Sequence, residues 1–277
     1  MSDQAVFLDD KNMLFAMESA PSVGAVSRNT GVVILNSGTI NNVGPFGLSI
    51  DFARSLSREG FPVLRLDQTG KGESSDMPRE SSEEDTLKRD IEFAYGALNR
   101  QFSVDKIVII GLCSGADHGI EASSMLVQVA GLVMLDGWAP RDIRYYIARY
   151  APKLRQPLLL PGMLLRRFFP SREPVTPDDI LRREIGEERG ARWDQDKVLS
   201  QIRELCDRKV PILAVYTGDA DDYYSYAGQL GIGLQRSSID TSLITESYKP
   251  NRKHLYPIAA HRDCLVKDVT EWVLSIS

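Results

Sequence analysis

Cysteine is scarce: the 277 residues hold only Cys113, Cys206 and Cys264. That is too few for a disulfide framework, and no pair has the spacing of a zinc site. Histidine is equally scarce, so an imidazole base must be His118, His254 or His261. No run approaches the roughly 20 apolar residues that a bilayer-spanning helix needs. The opening stretch carries Asp3, Asp9 and Asp10 and lacks the basic region and apolar run of a signal peptide. A cytoplasmic, reducing setting with no metal and no cofactor is the expectation, and a free thiol there stays available for chemistry. The net charge of -5 supplies no general attraction to nucleic acid. What remains is an ordinary globular composition, 43% hydrophobic and 26% charged, long enough for one large domain with an insertion.

Short apolar runs bounded by turn residues alternate with helical spacing. Ala5–Met17 reads as an antiparallel hairpin turning at 9–12. Gly31–Leu35, Phe61–Leu66, Lys106–Ile110, Val129–Leu135 and Val210–Tyr216 read as buried strands. Gly47–Arg58 and Asp85–Leu98 have helical periodicity, and another helix begins near Gly115. Leu255–Ala259 is the expected last strand, with Ser242–Ser247 a weaker candidate, and Val266–Ile276 closes the chain as a helix. Such alternation predicts an α/β fold, a mostly parallel sheet covered by helices on both faces. The stretch 139–207 breaks the pattern, with Pro140, Pro152, Pro157, Pro161, Pro170, Pro174 and Pro177 among amphipathic fragments. It reads as a helical cap inserted into a core made of 1–138 and 208–277. Its first half is basic, with Arg141, Arg144, Arg149, Lys153, Arg155, Arg166, Arg167 and Arg172 against Asp142 alone.

The strand through Val108-Ile109-Ile110 runs straight into Gly111-Leu112-Cys113-Ser114-Gly115 and then a helix. Strand, Gly-x-nucleophile-x-Gly and helix together form a nucleophile elbow. The strained turn exposes one side chain, the glycines remove Cβ atoms that would clash, and the helix N-terminus aims amides at the reacting oxygen. By register Cys113 is the nucleophile and Ser114 a small turn residue contributing its backbone N–H, with Ser114 as nucleophile in another register the lesser alternative. A buried structural cysteine is the alternative reading of a bare motif of this kind.

With the elbow in hand, the chain resembles the α/β-hydrolase superfamily over nearly its whole length outside the cap. Gly60-Phe-Pro-Val-Leu-Arg-Leu-Asp67-Gln-Thr-Gly70-Lys-Gly72-Glu-Ser74 is similar to the superfamily's strand and loop ahead of the elbow. Asn36-Ser37-Gly38-Thr39 with Val43-Gly44-Pro45 resembles its oxyanion loop, Asn36 standing where histidine is more usual. Gly-Leu-Cys-Ser-Gly-Ala resembles the cysteine-nucleophile branch associated with exosortase and exopolysaccharide systems.

The resemblance implies the chain order nucleophile, acid, histidine. It places the acid at Asp221, beyond the strand ending Thr217-Gly218; Asp219 and Asp222 are neighbouring substitutes and Asp136 a more distant one. His261, between the expected last strand and the final helix, is the implied base, with His254 as the other candidate. The implied oxyanion donors are backbone N–H groups of Ser114 and of Gly38 or Thr39. His118, Trp138, Tyr145 and Tyr146 are candidate pocket residues. The expected function is an esterase, thioesterase or acyltransferase passing through a thioester acyl-enzyme. Its partner is a small acyl substrate, free or carried on coenzyme A or a carrier protein, and the basic cap suits an acidic carrier or an anionic membrane. A non-catalytic binding module of the same fold is the alternative, distinguished by losing a triad member.

Overall fold

The computed structural model describes residues 3–9, 11, 13–76, 82–154, 194–220 and 223–277. Strand β1 (Asp3–Phe7) pairs antiparallel with β2 (Phe15–Ser19), Ala5 opposite Met17. Asp9 closes the turn by accepting from the Met13 and Leu14 amides at 2.8 and 2.9 Å. The expected hairpin is therefore present, held by a carboxylate on backbone N–H groups. Alternation follows: β3 (Thr30–Ile34), α1 (Leu48–Arg58), β4 (Val63–Leu66), α2 (Glu83–Phe102), β5 (Lys106–Leu112), α3 (Ser114–Met125) and β6 (Val129–Leu135). Helices α4 (Ile143–Leu154) and α5 (Gln195–Asp207) precede β7 (Ile212–Thr217). The chain ends with α6 (Gln229–Arg236), β8 (Ile244–Lys249) and α7 (Ala259–Ser275).

The strands form one eight-stranded sheet in the order β1-β2-β4-β3-β5-β6-β7-β8. The β1–β2 and β2–β4 pairs are antiparallel; every pair from β4 through β8 is parallel. Strands β3, β4 and β7 are buried along their whole length, which explains their unbroken apolar runs. Successive residues face opposite sides of a strand, so β5 feeds two cores. Ile109 joins Leu132 and Ala214 beneath Ile91, Ile120 and Ile202 of α2, α3 and α5. Ile110 joins Val32, Val133 and Val215 against Phe52 and Val269 of α1 and α7.

Two sequence expectations change here. The stretch Leu255–Ala259 is not a strand but the loop entering α7; the last strand is β8, overlapping the weaker candidate Ser242–Ser247. Pro257 has no N–H for a ladder, and Tyr256 has φ 52°, which breaks an extended chain. Helix α5, placed in the cap by its sequence position, buries Val198, Ile202, Leu205 and Cys206 in the same core as Ile120. That end of 139–207 covers the sheet, while the cap expectation for 155–193 falls outside the described residues. Among the described residues no helix is long and apolar enough to cross a membrane.

Candidate active site

Strand β5 ends at Leu112, and Cys113 has φ 60° and ψ -125° before α3 begins at Ser114. A β-carbon in that conformation is strained, and the surroundings enforce it. The Cys113 amide donates to Leu135 O at 2.8 Å, while Cys113 O accepts from the Ala116 amide at 3.0 Å. The flanking glycines follow from packing. A Cβ on Gly111 would stand 2.1 Å from Gly115 O, and one on Gly115 would stand 2.3 Å from Asn36 O. The turn thus requires glycine twice, and Cys113 is the side chain it presents.

The imidazole that reaches Cys113 is His254, through a side-chain hydrogen bond. Its Nδ1 lies 2.8 Å from Oδ2 of Asp136, so Nε2 is the nitrogen left for the thiol. Asp136 follows β6 directly, is fully buried and has φ 48°. It accepts from the Thr217 amide at 2.6 Å and the Thr217 hydroxyl at 2.7 Å, which hold both carboxylate oxygens. Burial opposes charge on His254, but hydrogen bonds and charge from Asp136 and Cys113 outweigh it and push the imidazole pKa up to about 10. The imidazole is thereby held protonated through neutral pH beside the Cys113 sulfur.

His254, the other candidate, rather than His261, is thereby the histidine that meets Cys113. His261 sits in the first turn of α7, its amide bonded to Ile258 O and its Nδ1 buried with no partner among the described residues. Asp136, the distant candidate, is the carboxylate on His254, whereas Asp221 and Asp222 lie outside the described residues. Asp219 acts on the backbone: its Oδ1 accepts from the His254 amide, and Lys253 stands 3.7 Å from its Oδ2. Gly218 donates to Arg252 O at 3.2 Å, and a Cβ there would stand 1.8 Å from Pro250 O. The loops after β7 and β8 are pressed together, which carries His254 back over the strand ends. Once the last strand moves from 255–259 to 244–249, His254 becomes the histidine that follows it.

The loop after β3 faces the elbow. Asn36 donates to Asp67 Oδ1 at 2.8 Å and Ile40 O at 3.0 Å, and accepts from the Gln68 amide at 2.7 Å. Asn42 donates to Asp67 Oδ2 at 2.7 Å, and the Glu73 amide reaches the same oxygen at 3.1 Å. A Cβ on Gly72 would fall 2.3 Å from that oxygen, so the close approach needs glycine. This buried amide–carboxylate lattice fixes the root of the loop. Gly38, at φ 58°, donates its N–H to Ser114 Oγ at 2.8 Å. Ser114 therefore engages the loop through its side chain as well as occupying the first turn of α3. Thr39 is exposed, and the described residues offer its N–H no acceptor.

The remaining candidates serve other contacts. His118 is buried, its Nδ1 3.2 Å from Gln68 Nε2. Trp138 donates its amide to Asp117 Oδ1 at 2.7 Å and accepts from the Tyr216 hydroxyl at 3.0 Å. Tyr145 is buried and accepts from Arg149; Tyr146, edge-on to it at 5.0 Å, is exposed. Among the described residues no cluster of His, Cys, Asp and Glu could hold a metal ion.

No family model matches the chain, and no curated protein matches it. Solved structures do. The proline iminopeptidase-related protein of Thermus thermophilus superposes with TM-score 0.57 at 19% identity, covering 100% of this chain and 99% of that one. Est1E of Butyrivibrio proteoclasticus, solved with ferulic acid bound, gives 0.61 at 14% identity, covering 98% and 99%. An α/β serine hydrolase without lid from Xanthomonas campestris gives 0.54 at 14%, covering 98% and 95%. Likeness at such identity is a likeness of fold: the chain has the α/β-hydrolase fold.

Proposed function

We propose that the chain is an acyl hydrolase or acyltransferase, with Cys113 as nucleophile, His254 as base and acid, and Asp136 as the orienting carboxylate. The observation that carries the reading is the Cys113–His254–Asp136 chain of contacts at a strained strand-to-helix turn. The resemblance to cysteine-elbow proteins and the esterase and peptidase names among the structural neighbours support it at the level of reaction class.

The steps follow from these atoms. The thiol proton resides on His254, and Cys113 Sγ attacks the acyl carbonyl carbon, placing the electron pair on the oxygen. The Ser114 N–H at the start of α3 and the Thr39 N–H, which no described residue accepts, are the donors proposed for the developing oxyanion. Collapse expels the alkoxide or thiolate, which leaves with the His254 proton, and a thioester to Cys113 remains. His254 then takes a proton from water, or from an acceptor hydroxyl, amine or thiol, whose oxygen, nitrogen or sulfur displaces Sγ. Free acid or transferred acyl product results, and the thiol is restored. The buried Asp136 keeps the ring in the tautomer that aims Nε2 at sulfur and stabilises the imidazolium.

Hydrolysis of p-nitrophenyl esters tests the proposal. Wild type should release p-nitrophenol in a burst followed by slower turnover, and Cys113→Ala should show neither. Equal turnover in Cys113→Ala would refute it. Supplying an amine or thiol acceptor separates transfer from hydrolysis through the products formed.

A further inference from the structure

We infer that the Ser114 hydroxyl is a positioning group that clamps the oxyanion loop onto the nucleophile elbow. The inference rests on the acyl-enzyme reading and deepens the same site. Ser114 stands one residue beyond the nucleophile, where its backbone N–H alone would suffice for an oxyanion hole. Yet its Oγ accepts the Gly38 N–H at 2.8 Å, across 76 positions of sequence.

The loop is held from two sides. Asn36 and Asn42 tie its root to Asp67 at 2.8 and 2.7 Å, and Asp67 follows β4 on the flank away from the elbow. The tip is a tight turn, with the Ile40 amide on Ser37 O at 3.0 Å and Gly38 in the left-handed region. Nothing in the Asp67 lattice reaches Gly38; Ser114 Oγ does. The bond also decides which loop amide meets the oxyanion. Gly38 N–H is spent on the hydroxyl, which leaves Thr39 N–H, accepted by no described residue, as the loop amide available to pair with Ser114 N–H.

Loss of the clamp should affect only steps that build an oxyanion. Acylation by p-nitrophenyl acetate passes through a tetrahedral oxyanion before p-nitrophenolate departs. Alkylation by iodoacetamide does not: Sγ bonds directly to the methylene carbon as iodide leaves. A misplacement of about 1 Å in a catalytic geometry costs on the order of 100-fold in rate. Ser114→Ala should therefore slow acylation of Cys113 by about 10- to 100-fold and leave alkylation near the wild-type rate. Ser114→Thr, which keeps an oxygen for Gly38, should recover most of the loss.

Both reagents, applied to wild type, Ser114→Ala and Ser114→Thr with the adduct read by intact mass, make the test. Acylation of Ser114→Ala at or above the wild-type rate would overturn the clamp, showing that a released Gly38 N–H serves at least as well. Alkylation falling in step with acylation would also overturn it, because the hydroxyl would then be acting on the thiol or the fold. Wild type that alkylates but never acylates at Cys113 would instead refute the acyl-enzyme reading beneath it.

Discussion

At the residue scale the site turns on the charge state of one imidazole. A free thiol near its ordinary pKa of about 8.5 is only a few per cent ionised at neutral pH. His254, raised to about 10 by Asp136 and Cys113 against the cost of burial, stands protonated beside the sulfur at neutral pH. His254→Ala should lower acylation by about 100-fold or more, whereas His261→Ala should stay near wild type; p-nitrophenyl acetate kinetics on both variants will show it. Equal losses would return His261 to the site. The raised pKa also has a stability signature. Because the imidazole's proton comes from the thiol, the folded pair and the unfolded thiol each bind one proton between 6.5 and about 8.5; above that the unfolded chain has released it, so this contribution is lost as pH rises from about 8.5 to about 10. Thermal melts from pH 8 to 10 should fall more steeply for wild type than for His254→Gln, and parallel profiles would contradict the ion pair. The place of Cys113 at the turn was legible in the sequence because two glycines at fixed spacing bracket a single position between strand and helix. Its partners were not. The choice between His261 and His254 hung on which thin apolar run formed the last strand, and Asp136 stood only as the distant candidate acid behind the carboxylates after Gly218.

At the element scale, loops do the positioning and glycines set how closely they approach. Gly218 lets the loop after β7 press against Pro250, and the His254 amide is pinned to Asp219 in the same junction. A Cβ 1.8 Å from Pro250 O has no room, so Gly218→Ala must push the two loops apart. Acylation should drop by about 10-fold or more, and Tm should fall by several degrees; unchanged kinetics would show that His254 is placed by other contacts. These relations were hidden because β8 is a poor hydrophobic signal. It is an edge strand with no fully buried residue, and Thr245, Glu246 and Ser247 interrupt its apolar positions. Glu246 reads as a surface residue, but its carboxylate accepts from the Tyr224 hydroxyl at 2.6 Å and from the Leu230 and Gly231 amides at the start of α6. The interior strands, buried on both faces, announced themselves by composition alone.

At the scale of the whole molecule, the parallel sheet assembles the site by ending neighbouring strands at one edge. Cys113 follows β5, Asp136 follows β6, and His254 lies in the loop leaving β8, so residues 141 positions apart meet over three strand ends. Alternation of strand and helix made this architecture readable, because each βα unit carries its own periodicity. The boundary of the cap was less readable, since α5 is amphipathic like a lid helix yet turns Val198, Ile202 and Leu205 into the sheet. An assembly of this kind predicts one covalent address for an acyl group. Protein mixed with p-nitrophenyl acetate, quenched in acid and mapped by peptide mass spectrometry, should carry a single acetyl thioester on Cys113, absent in Cys113→Ala and strongly reduced in Asp136→Asn. An acetyl group on Ser114, or one that persists in Cys113→Ala, would contradict the account.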